Sequence, residues 1–147
     1  MNKQEVLEQF VEFNPTKFLK ESKKWKDKLK DIKDELDSIA ELPAIESSGV
    51  QSSSISDLTY NTALKRLKLT NEQEYLEACI SIRDWALSNL SPFDRELIEG
   101  FFYPKTSIYM FVENFKIENA LCTSDVYSAR REALDSFTKL IVTKYGL

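Results

Sequence analysis

Three glycines and four prolines in 147 residues leave few places where this chain can turn tightly. An all-β domain needs a turn signal roughly every 8–12 residues, whereas a bundle of long helices needs only a handful. The chain therefore reads as all-α. Its apolar residues, 42% of the total, are enough for a core, and the length fits one domain or a small domain with an extended appendage. No apolar run approaches the length of a membrane-spanning helix, and the opening MNKQEVLEQF lacks the apolar stretch of a signal peptide. The expectation is a cytoplasmic protein with no membrane partner.

Residues 16–42 carry the clearest periodicity. Apolar positions fall at Phe18, Trp25, Leu29, Ile32, Leu36 and Ile39, and from Trp25 onward they are spaced four, three, four and three apart. That is the a/d repeat of a helix packed on another helix. Ser22 takes the one remaining seam position, and the run KKWKDKLKDIKDELD alternates opposite charges on the solvated faces. Pro15 with Thr16 can start this helix and Pro43 can end it. About three heptads are marginal in isolation, so the helix needs a partner. That partner is a second copy of the chain or the chain's own core. Trp25, Leu29, Ile32, Leu36 and Ile39 are thus the candidate oligomerisation residues of an N-terminal segment 1–42. Residues 43–56, PAIESSGVQSSSIS, are Ser-rich and read as a linker.

Residues 57–147 read as a second, helical domain. Leu58, Leu64 and Leu67 line a first short helix, and Asn71 can cap a second whose inner stripe is Leu76, Cys79, Ile80, Arg83, Leu87 and Leu90. Arg83 on that stripe is either a buried-pair residue or a snorkelling one. Ser91-Pro92-Phe93-Asp94 is a strong helix start, with Ser91 as cap and Pro92 at the first position. This helix continues inward through Leu97, Ile98, Phe101 and Phe102 to about Pro104. Thr106 or Ser107 caps another, with Ile108, Phe111, Val112 and Phe115 inward. After the connection Lys116–Thr123, Ser124 or Asp125 starts the last helix, whose inner set is Val126, Ala129, Ala133, Leu134, Phe137, Leu140 and Ile141.

The chemistry open to the chain is narrow. It has no histidine, which removes the commonest general base, the commonest zinc ligand and any Ser-His or Cys-His pair. Cys79 and Cys122 match no CxxC pattern and read as reduced core fillers. No GxxxxGK[ST] or GxGxxG is present, and most acids fall on solvated faces. The reading is of a protein that is not an enzyme and needs no metal or cofactor.

The order of the last three helices is that of a helix-turn-helix unit, whose final helix enters the major groove with its N-terminal residues. The outward residues there are Ser124, Asp125, Tyr127, Ser128, Arg130 and Arg131, which make the candidate DNA-binding set. Arginine can read guanine or neutralise phosphate, and Ser and Tyr can bond phosphate. The alternative is that these arginines only solubilise an amphipathic helix. Net charge does not decide the matter, because residues 105–147 hold six basic and five acidic side chains.

The stretch LSPFDRELIEGFFYPKTSIYMFVENF, followed by SDVYSARREALDSFTKLI, resembles the C-terminal region of phage transcriptional regulators of the ArpU/RinA type. These are small proteins whose layout is related to region 4 of sigma factors. The likeness rests on a leucine-led helix ending in an aromatic pair, a short helix, and a capped helix with Val126, Tyr127, Arg130 or Arg131, Ala133 and Leu134. It covers roughly residues 57–142. The resemblance implies a phage-encoded regulator, an activator of late genes, that binds promoter DNA through its last helix and recruits host RNA polymerase in the bacterial cell. The rival expectations are a helical protein-interaction adaptor and a small packaging-terminase subunit.

Overall fold

The computed structural model describes residues 2–10, 13–41 and 53–147, and every regular element among them is an α-helix. In chain order these are α1 (Lys3–Glu8), α2 (Pro15–Ser22), α3 (Trp25–Glu41), α4 (Ser53–Asn89), α5 (Pro92–Phe102), α6 (Ile108–Asn119) and α7 (Thr123–Tyr145). No helix among the described residues is long and apolar enough to cross a membrane. The chain divides into two compact units, Lys24–Glu77 and Asn2–Lys23 with Ala78–Leu147. These boundaries differ from those at residues 42 and 56 that composition suggests.

The helix expected over 16–42 is two helices. It breaks at Lys23–Lys24, and the halves belong to different units. The Ser22 hydroxyl donates to the Leu19 carbonyl and is also hydrogen-bonded to the Tyr103 hydroxyl. Ser22 is therefore the buried end of a docked short helix rather than the polar seam position of a long one. Leu42 and residues 43–52, most of the expected linker, lie outside the described residues. Positions 53–56, the remainder of that linker, are already helical.

In the first unit, Trp25, Ile32 and Ile39 of α3 are buried, as are Leu69 and Leu76 of α4, while Leu29 and Leu36 are half-buried. The stripe, for which the spacing left open a second copy or the chain's own core, is thus largely covered within a single chain. Helix α4 corrects a second expectation. Asn71 caps nothing, because α4 runs unbroken for 37 residues. Thr70-Asn71 contains neither glycine nor proline, so nothing in the sequence forces the helix to stop there. Leu64 and Leu67, expected inward, are exposed; the side chain of Leu58 lies outside the described set.

The second unit is built on α7. Helix α5 packs against both α6 and α7, α6 packs against α7, and α2 packs against α7. Helix α1 had no periodicity to announce it. Its signal was Asn2 with Glu5: the Asn2 side chain accepts from the Glu5 N–H at 2.8 Å, while Glu5 accepts from the Asn2 N–H at 3.3 Å. Buried Val6, Leu7 and Phe10 follow. An aromatic cluster forms part of the core, with Phe10 and Phe18 at 5.3 Å, Phe13 and Phe18 at 5.2 Å, and Phe18 and Phe137 at 6.0 Å between ring centres.

Candidate nucleic-acid interface

Helix α5 starts as its sequence prescribes. The Ser91 hydroxyl accepts from the Asp94 N–H at 3.2 Å, and Leu97, Ile98, Phe101 and Phe102 are all buried. Gly100 serves close approach, not a turn. A β-carbon there would lie 2.1 Å from the Phe111 ring, so its absence lets α6 settle against α5. Phe111 then meets Phe101 at 5.5 Å and Phe115 at 5.5 Å.

Ser107, one of the two expected caps, begins α6 by accepting from the Met110 N–H at 3.1 Å. Val112 and Phe115 are buried, but Ile108 is exposed, contrary to expectation. The run Ile108-Tyr109-Met110-Phe111-Val112 explains this, since five consecutive helical residues wrap round more than one face. Tyr109 and Ile117 are 71% and 79% exposed and Met110 is also exposed, which leaves α6 with an apolar outer surface that the periodicity did not flag.

Between α6 and α7 the chain turns in three residues, 120–122, and not over the whole of Lys116–Thr123. Ala120 adopts the left-handed conformation with φ 52°, a place more often taken by glycine. Helix α7 begins at Thr123, one residue earlier than expected, with Cys122 as its cap and not Ser124 or Asp125. The Asp125 carboxylate accepts from the Cys122 thiol at 3.0 Å and from its backbone N–H at 3.4 Å. Cys122 is exposed and so is no core filler, whereas Cys79 is buried; both are free thiols.

Of the candidate DNA-binding residues, Ser124, Asp125, Tyr127, Ser128 and Arg131 are exposed on the first two turns of α7. Tyr127 also leans inward, its ring 5.6 Å from that of Phe101. Arg130 is different, and its expected outward position is corrected. It is half-buried, with its guanidinium 5.0 Å from the Phe101 ring centre and 5.6 Å from that of Phe102, and its Nε is buried without a hydrogen-bond partner. A long side chain on an aromatic-rich face gains more by covering those rings than by extending into water.

The electrostatics of the unit are mild. Arg95 pairs with Glu99 at 3.0 Å and Lys116 with Glu113 at 3.4 Å, so these cations are partly neutralised. Lys105 and Arg131 form no ion pair among the described residues. Asp125 and Glu132 offset Arg130 and Arg131 along the start of α7. Arg83 resolves towards burial: it pairs with Asp84 at 3.0 Å and lies 5.8 Å from the Tyr103 ring centre. A cleft of about 560 Å³ elsewhere in this unit is lined by Trp85, Leu90, Ser136, Lys139, Leu140 and Lys144. Lys144 Nζ sits 3.9 Å from the Trp85 ring centre there, and nearby burial raises the Tyr145 hydroxyl above its ordinary pKa. Among the described residues, no cluster of three Cys, Asp or Glu side chains is placed to hold a metal ion. Compared with family models, with curated proteins and with solved structures, the chain matches none.

Proposed function

We propose that this chain is a phage-encoded DNA-binding transcription regulator, an activator of late genes, whose α7 lies in the major groove of promoter DNA and which recruits host RNA polymerase. One observation carries the reading. The α6–turn–α7 pair, joined by a three-residue turn and packed on α5, leaves the outer face of the first two turns of α7 open to solvent. Arg131, Ser128, Tyr127 and Ser124 are the side chains offered there. The backbone N–H groups at the start of α7 add a modest attraction for phosphate. With so few cations, one copy binds weakly, and paired half-sites about one helical turn apart, ~34 Å, would multiply the phosphate contacts.

A second reading, a helical adaptor that binds protein, is favoured by the exposed Tyr109, Met110 and Ile117 on α6. Footprinting with the purified chain over the DNA around its own gene, at two salt concentrations, separates the two. A protected palindrome whose affinity falls steeply with salt supports the regulator. No protection at low salt, together with tight binding to a protein partner in the absence of DNA, supports the adaptor.

A further inference from the structure

The cleft of about 560 Å³ is formed where the end of α4 and the start of α5 meet the second half of α7. Trp85 of α4, Leu90 just beyond it and Leu140 of α7 give it an apolar lining. Its charges come from two sides, Lys139 and Lys144 from α7 and Asp94 from α5. Lys144 rests its Nζ 3.9 Å from the centre of the Trp85 ring, and Asp94 is half-buried. None of the three forms an ion pair among the described residues. Opposite charges thus share one cleft without meeting.

We infer that this cleft binds a free aromatic amino acid. A plain anion would suit the lysines but would set its charge against Asp94, and a plain amine would suit Asp94 but meet two ammonium groups. A zwitterion answers both sides. Its carboxylate takes charge-assisted hydrogen bonds from Lys139 and Lys144, and its ammonium group donates to Asp94. Its side chain then covers Trp85, Leu90 and Leu140, which a ligand as small as glycine would leave in water. A flat ring is the best complement to the indole. The volume lies within the range usual for small-molecule sites, roughly 300–1,000 Å³. The cleft uses Ser136 to Lys144 of α7, well past the exposed turns from Ser124 to Arg131. It does not rest on the DNA-binding reading, and it would stand if the chain bound no DNA.

The test is titration calorimetry on the full wild-type chain, with Trp85 emission followed in Trp25→Phe, where it is the one remaining tryptophan. L-Phenylalanine should saturate one site per chain, with half-saturation at about 1 mM or below. 3-Phenylpropanoate lacks the ammonium group and phenethylamine lacks the carboxylate, and each should bind at least roughly tenfold more weakly. Glycine should give no heat. Asp94→Asn should erase the preference for phenylalanine over 3-phenylpropanoate. Lys139→Gln with Lys144→Gln should erase the preference over phenethylamine. Helix content should stay near wild type in both variants. That reciprocal loss of selectivity arises only if the two walls hold opposite ends of one ligand. No binding of phenylalanine by folded wild type at about 10 mM overturns the proposal. So does equal binding of the three aromatic probes, or a selectivity that either variant leaves unchanged.

Discussion

Arg130 and Arg131 are neighbours in sequence and opposites in setting. Arg131→Ala removes an exposed side chain and should change unfolding free energy by less than about 0.5 kcal/mol. Arg130→Ala uncovers two phenylalanine rings and should cost about 1–2 kcal/mol in a denaturant titration. If α7 reads DNA, the order reverses for binding. Arg131→Ala should then lose ~1–3 kcal/mol for a base contact, or about one unit of salt slope for a phosphate contact. Gly100 makes an equally sharp test. Alanine inside a helix normally gains about 1 kcal/mol over glycine, but the Phe111 ring occupies the space a methyl would need. Gly100→Ala should instead destabilise by about 1–3 kcal/mol, read from the shift in melting temperature. Neither setting was legible in the sequence. A charged side chain is expected outside until the rings beneath it are known, and a lone glycine in a helix looks like a cost until its neighbour is placed.

At the scale of the elements, legibility followed local chemistry. Helix α5 could be read from its cap, its first proline and its four apolar positions, because all the determinants lie within the segment. The break at Lys23–Lys24 could not. The heptad count runs straight through it, and the chain departs from that count where Ser22 is held by Tyr103, far away in sequence. The facing of α4 also escaped. Periodicity shows that Leu64 and Leu67 share a face, but only packing shows that the face points outward. Continuity of α4 at Asn71 gives a test whose sign is diagnostic. If Asn71 capped a helix, Asn71→Ala would cost about 1 kcal/mol. In the middle of a helix, where alanine is the better residue, the same change should stabilise the chain by about 0.5 kcal/mol, measured by chemical denaturation. Of the candidate interface, the final helix was legible but its cap was displaced to Cys122. Cysteine is a weak cap by residue type, and Asp125 supplies the acceptor in its place.

For the whole molecule, acidity and burial combine in one measurable way. The chain has no histidine, so no side chain has an ordinary pKa near neutrality. At the alkaline end, Tyr145 is held neutral by burial and its hydroxyl has no hydrogen-bond partner. Its pKa when folded lies above the unfolded value of 10.0, so its contribution is complete below pH 10.0 and is lost as pH rises through the folded value. Stability should therefore decline above that pH. Tyr145→Phe should soften the decline and, by removing an unsatisfied buried hydroxyl, raise stability at neutral pH by about 1 kcal/mol. A variant with the same alkaline profile as wild type would locate the titrating group elsewhere.

The cap of α7 also sets how a sample ages. Cys122 is exposed while Cys79 is buried, so only one thiol per chain is open to air and to other molecules. On storage without reductant, chains should link covalently in pairs at Cys122 and stop at two. These pairs would survive dilution and high salt, and they would vanish on adding dithiothreitol. Their slow accumulation is a clock of handling, and Cys122→Ser stops it.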